Sequence, residues 1–196
     1  MSKMFLVTGS TGSTGSKTVK FLLNAGARVR AFVHSEDERS AALAVQGANV
    51  VRGDLLDFEA VCPALEGTQG AYFVYPIRPG ILQASAYFAQ AAKEAGIKIV
   101  VNMSQISARR EAKSHAAQDH WISEQVFNWS GVPTTHLRPT LFAEWALYWA
   151  DQQSGFVNSL RRTEVRFCPK FVNKKEPNLP APPVYRLDVI QPPGRH

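Results

Sequence analysis

Three glycines spaced three residues apart, Gly9, Gly12 and Gly15, follow a short apolar run near the start of the chain. The run, residues 4–7, predicts a β-strand, and the apolar periodicity after the glycines predicts a helix. Glycine adopts positive φ and lets backbone approach phosphate oxygens, while the amides of a helix N-terminus attract an anion. The spacing differs from the G-x-G-x-x-G of the usual dinucleotide turn. Its place after the first strand nevertheless predicts a site for a dinucleotide pyrophosphate.

The elements that must position this turn alternate between strands and helices. Further strands are predicted at residues 28–33, 49–52, 70–75, 97–103 and 134–138, with helical patterns between them. Such alternation, with β-branched residues dense in the strands, predicts an α/β fold with a doubly wound parallel sheet of the Rossmann type. Sheets of this kind bind ligands at the carboxyl ends of their strands.

Two local signals refine the predicted helices. Ser35 and Glu38 have the spacing of a capping box, which predicts that Ser35 begins the second helix. Asp57 is the predicted cap of the third helix, and Pro63 within that helix is expected to shorten or kink it.

Composition and charge exclude several classes of protein. No apolar run of about 18 residues is present and the N-terminus leads directly into the first strand, which predicts neither a membrane span nor a signal peptide and favours a cytoplasmic location. Cys62 and Cys168 are too few and too far apart for a disulfide framework or a zinc site, so no metal site is predicted. The net charge of +6 comes mostly from residues after 159, which makes nucleic acid an improbable partner of the main body.

The organisation of the sequence changes near residue 151. Seven of the twelve prolines lie between Pro169 and Pro193, and regular periodicity is lost there. We therefore expect a dinucleotide-binding domain at residues 1–150 and a proline-rich, basic and irregular tail at residues 151–196.

Four features together resemble one family. They are the glycine turn, Gly53-Asp54, the strand ending at Asn102-Met103-Ser104, and the run from Ser130 to Pro139. With these residues, positions 3–150 resemble the NmrA-like family of atypical short-chain dehydrogenase/reductases, which includes NAD(P)H:quinone oxidoreductases and redox-sensing regulators. Members of the family are longer than this chain, so the tail is expected to leave the substrate side incomplete, as in a truncated or frameshifted product.

The resemblance implies a set of cofactor-binding residues along the carboxyl edge of the sheet. His34 would lie by the adenosine ribose, Asp54 and Leu55 would flank the adenine, and Thr140 would help to close the nicotinamide end. The residues implied to contact the pyrophosphate are Gly9, Thr11, Gly12, Ser13 and Thr14, and those implied to line the route to the nicotinamide are Tyr75, Pro76, Ser104, Gln105 and Pro139.

Simpler interpretations remain open for three of these residues. Asp54 is also suited to capping its local turn, Tyr75 to packing at the sheet edge, and His34 to an exposed strand end. The end of the second strand carries no acid that would favour NAD through the ribose 2′-hydroxyl, and Arg39 is a candidate cation for a 2′-phosphate. The expected cofactor is therefore NADP, with NAD as the alternative.

The residues for proton transfer depart from the family pattern. Catalytic short-chain dehydrogenases use a Tyr-x-x-x-Lys pair after the fifth strand. Aligning Glu124 and Gly131 with the family's Glu and Gly places His115 at the Tyr position and Asp119 at the Lys position. A His and an Asp four residues apart on a helix can move protons, whereas the simpler interpretation is a polar helix start.

Two functions follow from the resemblance and its departures. The first is an NAD(P)H-dependent oxidoreductase that transfers hydride to a quinone or conjugated carbonyl, a small-molecule substrate. The second is a non-enzymatic redox sensor that regulates a protein partner. An apolar substrate pocket is expected from seven aromatic residues: Tyr72, Phe73, Tyr75, Phe142, Trp145, Tyr148 and Trp149.

Overall fold

The computed structural model describes residues 2–76 and 78–140, which belong to one compact unit, Met1–Thr140. Six strands alternate with five helices, as the sequence predicts. The strands are β1 Met4–Val7, β2 Arg28–Val33, β3 Asn49–Arg52, β4 Gly70–Phe73, β5 Ile99–Met103 and β6 Thr134–Leu137. The helices are α1 Ser13–Asn24, α2 Glu38–Val45, α3 Phe58–Leu65, α4 Ile81–Glu94 and α5 His115–Ser130. The tail at 151–196 and four of the seven predicted pocket aromatics, from Phe142 onward, lie outside the described residues.

The six strands form one parallel sheet in the order β3-β2-β1-β4-β5-β6. The chain runs outward from β1 through β2 to β3, then returns to the other side of β1 and continues through β4 to β6. The order therefore reverses between β1 and β4, and in open α/β sheets this switch point is where ligands bind. The predicted doubly wound parallel sheet is confirmed.

Helices cover both faces of the sheet. On one face α1 and α2 contribute Val19 and Leu43 to a buried cluster that includes Val7 and Tyr72. The other face is covered by α3, α4 and α5, and the largest buried side chains there are the aromatic rings of β4, α4 and α5. There the rings of Phe73 and Phe88 lie 4.8 Å apart, and Phe127 lies 5.2 Å from Phe73. The aromatic residue Phe73 thus packs in the core.

The second helix begins later than the capping pattern predicts. Asp37, not Ser35, is its N-cap: the Asp37 carboxylate accepts the amide of Ser40 at 2.9 Å, and the Ser40 hydroxyl in turn accepts the amide of Asp37. The pKa of Asp37 is lowered, first by that amide and then by Arg39. Aspartate and serine three residues apart satisfy the N-cap and N3 amides of the helix, as the predicted Ser35–Glu38 box would two residues earlier, so the sequence allowed both registers.

The third helix includes Pro63 and ends two residues after it. A proline interrupts the helical ladder and the last turn leaves carbonyls unpaired. The guanidinium of Arg30, on β2, reaches this end and donates through Nη1 to the carbonyl oxygens of Pro63, Ala64 and Glu66 at 3.2, 2.6 and 2.9 Å. A side chain from the sheet therefore caps the short helix and fixes it beside β2.

Candidate functional site

The glycine turn between β1 and α1 is shaped by two close backbone approaches. The amide of Gly12 donates to the carbonyl oxygen of Gly9 at 2.9 Å, and Gly9 has a φ of +54°, in the left-handed region. A Cβ at Gly15 would lie 2.1 Å from the same Gly9 oxygen. The first turn of α1 therefore packs directly on the backbone of the turn, which only glycine permits.

Two buried hydroxyls that the sequence analysis did not single out hold the turn against the sheet. The Thr8 hydroxyl donates to the Val74 carbonyl at 3.0 Å and accepts the Val74 amide at 2.8 Å. The Ser10 hydroxyl donates to the Phe32 carbonyl at 3.1 Å. Both residues belong to the turn motif. The sequence does not indicate that Thr8 bonds to the residue after β4, or that Ser10 bonds to a residue of β2.

Replacing Thr8 with Val should loosen this attachment. Valine keeps the shape but leaves the Val74 amide and carbonyl without their partner, and each unsatisfied buried group costs about 1–3 kcal/mol. We expect the free energy of unfolding to fall by a few kcal/mol, measured by urea denaturation. Thr8→Ser, which keeps the hydroxyl, is the matched control. Equal stability of the Val and Ser variants would show that these two hydrogen bonds contribute little.

The N-terminus of α1 lies at the carboxyl end of β1. Its N-cap is Gly12, which has no side chain to accept the first amides of the helix. Ser13 is exposed, while Thr11 and Thr14 are half-buried. Burial raises the pKa of Tyr72 on β4, and a hydrogen bond with the Thr14 side chain opposes that shift. The predicted pyrophosphate-contacting residues thus surround the uncapped amides of one helix end, a suitable environment for an anion.

His34 and Asp54 come together where β2 and β3 end. The His34 Nε2 and Asp54 Oδ2 atoms are 3.5 Å apart, with side chains 66% and 40% exposed. The other oxygen, Asp54 Oδ1, accepts the Leu56 amide at 2.9 Å, so Asp54 also caps its local turn. Leu55 is half-buried and packs against the core. The two residues expected around the adenosine therefore share one accessible corner of the sheet.

Arg39 does not extend freely toward this corner. Its guanidinium donates twice to one carboxylate oxygen of Asp37, from Nε at 2.9 Å and from Nη2 at 2.6 Å. The pair is exposed, and a surface pair of this kind can exchange partners at little cost. The cation that the sequence offers for a 2′-phosphate is thus already engaged by an acid of its own helix turn.

Tyr75 lies in the core, and its neighbour Pro76 is exposed. The Tyr75 hydroxyl donates to the carbonyl oxygen of Pro79 at 3.0 Å, and the guanidinium carbon of Arg78 lies 5.5 Å from the centre of the Tyr75 ring. Tyr75 therefore shapes the loop that leads from β4 to α4. These contacts agree with the simpler interpretation of Tyr75 as a packing residue. Of Tyr75 and Pro76, only Pro76 presents an accessible surface.

Ser104 and Gln105 follow β5 and are tied to the segment after β6. The Ser104 amide donates to the Leu137 carbonyl at 2.7 Å, and the Ile106 amide donates to the Pro139 carbonyl at 3.0 Å. Gln105 and Pro139 are half-buried, whereas Thr140 is exposed. Ser104, Gln105 and Pro139, three of the residues predicted to lie near a nicotinamide, thus belong to two segments that backbone hydrogen bonds hold together.

A buried carboxylate links these two segments to α5. Glu124 is 2% exposed, and it accepts the Ser104 hydroxyl at 2.6 Å and the Nε of Arg138 at 2.8 Å on one oxygen. Its second oxygen pairs with Arg138 Nη2. In the sequence, Glu124 served only as the reference position for the alignment of α5 with the family pattern. The buried face of α5 also carries Ser123, so no apolar helix face marked Glu124 in the sequence as a buried charge.

His115 and Asp119 lie one turn apart at the start of α5. His115 is exposed and Asp119 is half-buried. Among the residues that the structure describes, no hydrogen bond or ion pair joins the two. The helix spacing places them on one face, but it does not create the contact by which Asp119 would orient the imidazole.

A different histidine is fixed by two side chains. His136 on β6 is buried, with Nδ1 3.1 Å from Asn102 Nδ2 and Nε2 3.1 Å from Asn128 Oδ1. This arrangement suits a neutral ring that accepts at Nδ1 and donates from Nε2. Burial lowers the pKa of His136, with Glu124 opposing that shift and Arg138 adding to it. Burial likewise lowers the pKa of His120 on α5.

The depressed pKa of His136 predicts a loss of stability on mild acidification. Below pH of about 6.5 the unfolded chain binds a proton that the folded chain resists. The free energy of unfolding should therefore fall between pH 7 and 5.5, by up to about 1.4 kcal/mol per pH unit for each such histidine. His136→Gln should reduce this slope in urea titrations. An unchanged slope in His136→Gln would contradict the assignment.

Within residues 2–76 and 78–140, no three His, Cys, Asp or Glu side chains are grouped so that they could hold a metal ion. No helix in the same ranges is long and apolar enough to cross a membrane.

A family comparison agrees with this architecture. The sequence profile of the NmrA-like family matches residues 1–147. The chain belongs to the NmrA-like family. The resemblance inferred from the glycine turn, Gly53-Asp54 and the run to Pro139 is thereby confirmed.

Individual relatives of this NmrA-like chain are reductases. An NAD(P)H azoreductase from Xenophilus azovorans is 30% identical over 149 residues, which cover 75% of this chain and 51% of the relative. An NADPH-dependent quinone oxidoreductase from Escherichia coli, solved in complex with NADPH, has a TM-score of 0.68 at 27% identity and matches 76% of this chain and 53% of that one. The chain spans about half the length of these relatives.

A third protein, known from its solved structure, is similar to this chain in fold alone. A triphenylmethane reductase from Citrobacter sp., solved in complex with NADP(H), aligns with a TM-score of 0.66 at 24% identity, over 76% of this chain and 55% of that one. The aligned part of the NmrA-like chain therefore has the Rossmann architecture of this reductase.

Proposed function

We propose that this NmrA-like chain binds NADP(H) and transfers hydride from it to a quinone or similar conjugated carbonyl. The observation that carries the proposal is the uncapped N-terminus of α1, held by a glycine turn at the switch point between β1 and β4. Helix amides at such a point bind a pyrophosphate. The relatives that act on azo compounds and quinones support the choice of reaction.

The residues present suit a dinucleotide. The glycines let the turn pack on its own backbone beside the amides of α1, since a Cβ at Gly15 would clash with Gly9, and glycine lets backbone approach phosphate oxygens closely. In the proposed arrangement Gly9, Thr11, Gly12, Ser13 and Thr14 hold the phosphates, and the remaining predicted residues lie on either side along the sheet edge. His34, Asp54 and Leu55 would bind the adenosine, whereas Pro76, Ser104, Gln105 and Pro139 would surround the nicotinamide. Tyr75, which is buried, would support this end from the core.

The preference for NADP over NAD rests on two observations. The end of β2 carries His34 and no acid of its own, and the quinone oxidoreductase relative was crystallised with NADPH. A carboxylate at that position would accept from the ribose 2′-hydroxyl of NAD. Asp54 lies close to His34, but its Oδ1 is already engaged by the Leu56 amide, and Oδ2 faces the imidazole.

Proton transfer is assigned to His115, with Asp119 as its neighbour, on sequence position alone. When bound, the cofactor supplies the hydride, so the protein must mainly position the acceptor and deliver one proton for each hydride transferred. His115 is accessible at the start of α5, where it can exchange protons with water. Loss of most turnover in His115→Ala with unchanged NADPH binding would support this role. Equal turnover in His115→Ala and in the parent chain would show that His115 does not transfer the proton.

The decisive experiment combines binding with turnover. Purified chain is heated with NAD, NADH, NADP or NADPH, and a ligand at 100 times its Kd should add about 2.7 kcal/mol to the free energy of unfolding. The loss of NADPH absorbance is then followed with a panel of quinones, enones and azo compounds. We expect stabilisation by NADPH above NADH, and faster NADPH oxidation with at least one acceptor.

The outcomes separate the candidate functions. No stabilisation by any dinucleotide would overturn the proposal. Binding without turnover would favour the second candidate, a dinucleotide sensor with a protein partner, which the absence of the Tyr-Lys pair and of a His115–Asp119 contact supports. In that case, pull-down with oxidised and with reduced cofactor should recover different partners.

A further inference from the structure

The hydroxyl of Ser104 has a fixed hydrogen-bonding direction. Ser104 is buried at the carboxyl end of β5, and its amide is held by the Leu137 carbonyl. Its hydroxyl donates to Glu124 Oε1 at 2.6 Å. An ionised carboxylate only accepts hydrogen bonds, so the single Ser104 proton is committed to Glu124. Toward any other group, the Ser104 oxygen can then act only as an acceptor.

Glu124 is itself held from the other side. Arg138, the first residue after β6, donates from Nε to Oε1 at 2.8 Å and pairs through Nη2 with Oε2. A guanidinium that meets both carboxylate oxygens fixes the plane of the carboxylate. The contact with Glu124 also raises the pKa of Arg138. The direction of the Ser104 hydroxyl is therefore determined by α5 and by the residue after β6.

A fixed acceptor is useful only to a ligand that offers a donor there. The ring of nicotinamide carries C–H groups, and its nitrogen-bound hydrogens belong to the carboxamide. Resting on the proposed function, we propose that Glu124 is a positioning residue which, with Arg138, holds the Ser104 oxygen as the acceptor for the carboxamide N–H of the bound nicotinamide.

The first test changes the donor on the ligand. Dissociation constants are measured for NADP⁺ and for its 3-acetylpyridine analogue, in which a methyl group replaces the carboxamide nitrogen. Ser104→Ala should weaken NADP⁺ binding about threefold to tenfold, as for one hydrogen bond, and should leave the analogue unaffected. Ser104→Thr, which keeps a hydroxyl, should retain most of the affinity for NADP⁺. An equal loss for both ligands in Ser104→Ala would overturn the proposal.

The second test shows whether Glu124 acts through Ser104. Glu124→Gln is made in the parent and in the Ser104→Ala background, and NADP⁺ affinity and the unfolding midpoint are measured for all four proteins. Glu124→Gln should weaken NADP⁺ binding only when Ser104 is present, whereas its effect on the midpoint should be similar in both backgrounds. Equal weakening in both backgrounds would show a purely structural role and overturn the proposal.

A neighbouring buried serine provides the control for packing. Ser123 precedes Glu124 on α5, and its hydroxyl lies 2.7 Å from that of Ser85 on α4. Ser123→Ala should lower the unfolding midpoint without changing the ratio of NADP⁺ to analogue affinity. If the parent binds no NADP⁺ at all, the proposed function fails and this proposal with it. If the parent binds NADP⁺ but the two ligands respond alike, only the role of Ser104 and Glu124 fails.

Discussion

Replacing Gly15 with Ala should abolish most dinucleotide binding and also weaken the fold. A methyl group there would lie 2.1 Å from the Gly9 carbonyl oxygen, well inside van der Waals contact, and its neighbours are backbone atoms that cannot rotate away. The turn and the first turn of α1 must therefore separate. Overpacking of this kind costs about 1–3 kcal/mol of stability. Since the same displacement moves the helix amides, NADPH affinity should fall at least about tenfold, or ~1.4 kcal/mol.

Gly12 provides a graded control for this prediction. A Cβ at Gly12 would approach the same Gly9 oxygen at 3.1 Å, and Gly12 has a φ of −83°, which any residue adopts. Gly12→Ala should therefore disturb the fold much less than Gly15→Ala. Urea denaturation and fluorescence titration with NADPH measure the two effects. Equal stability of the two variants would show that the turn can rearrange at little cost, and that its close packing does not restrict position 15 to glycine.

Removing Arg138 should destabilise the chain more than removing the charge of Glu124. In Arg138→Met a carboxylate that is only 2% exposed loses its cationic partner, and an uncompensated buried charge costs about 3–5 kcal/mol. In Glu124→Gln the remaining guanidinium can reach water, because its side chain is 43% exposed. The loss there should be about 1–2 kcal/mol, as for hydrogen bonds replaced by weaker ones.

The pH dependence distinguishes this mechanism from a simple packing defect. In Arg138→Met the folded chain gains by protonating Glu124, so its deficit relative to the parent should shrink as the pH is lowered. In Glu124→Gln no such proton is available, and its deficit should not shrink. Urea denaturation at neutral and mildly acidic pH measures both. A constant deficit for Arg138→Met would contradict the picture of a stranded buried charge.

The exposed Arg39–Asp37 pair is the matched control for a lost ion pair. Arg39 is 70% exposed, and Asp37 continues to cap α2 through the Ser40 amide when Arg39 is replaced. Arg39→Met should therefore change stability by less than about 1 kcal/mol. If it were as destabilising as Arg138→Met, burial of Glu124 would not be the reason for the difference.

Local sequence signals determined the order of the elements and the place of the turn. Apolar periodicity and glycine positions predicted six strands and five helices because these patterns repeat within one element. The predicted start of a helix was wrong where the sequence offers two capping boxes. At α2 the structure uses Asp37 with Ser40, and not Ser35 with Glu38. The family also followed from the sequence, since its motifs are runs of adjacent residues.

Contacts between distant elements were decided only by the tertiary structure. Thr8 meets Val74, 66 residues away, and Glu124 joins Ser104 to Arg138 across a helix and two strands. Spacing along the chain does not state which residues of separate elements face one another, because that depends on how the strands are ordered and how the helices pack.

The histidines show the same division. Alignment of Glu124 and Gly131 with the family pattern selected His115 and Asp119, yet no hydrogen bond or ion pair joins these two described residues. The histidine with two partners is His136, since the register of β5 against β6 pairs it with Asn102. The sequence by itself determined a parallel sheet with a glycine turn suited to a dinucleotide. Strand register and helix packing decided which polar side chains are buried together, because those pairings form between segments that are remote in sequence.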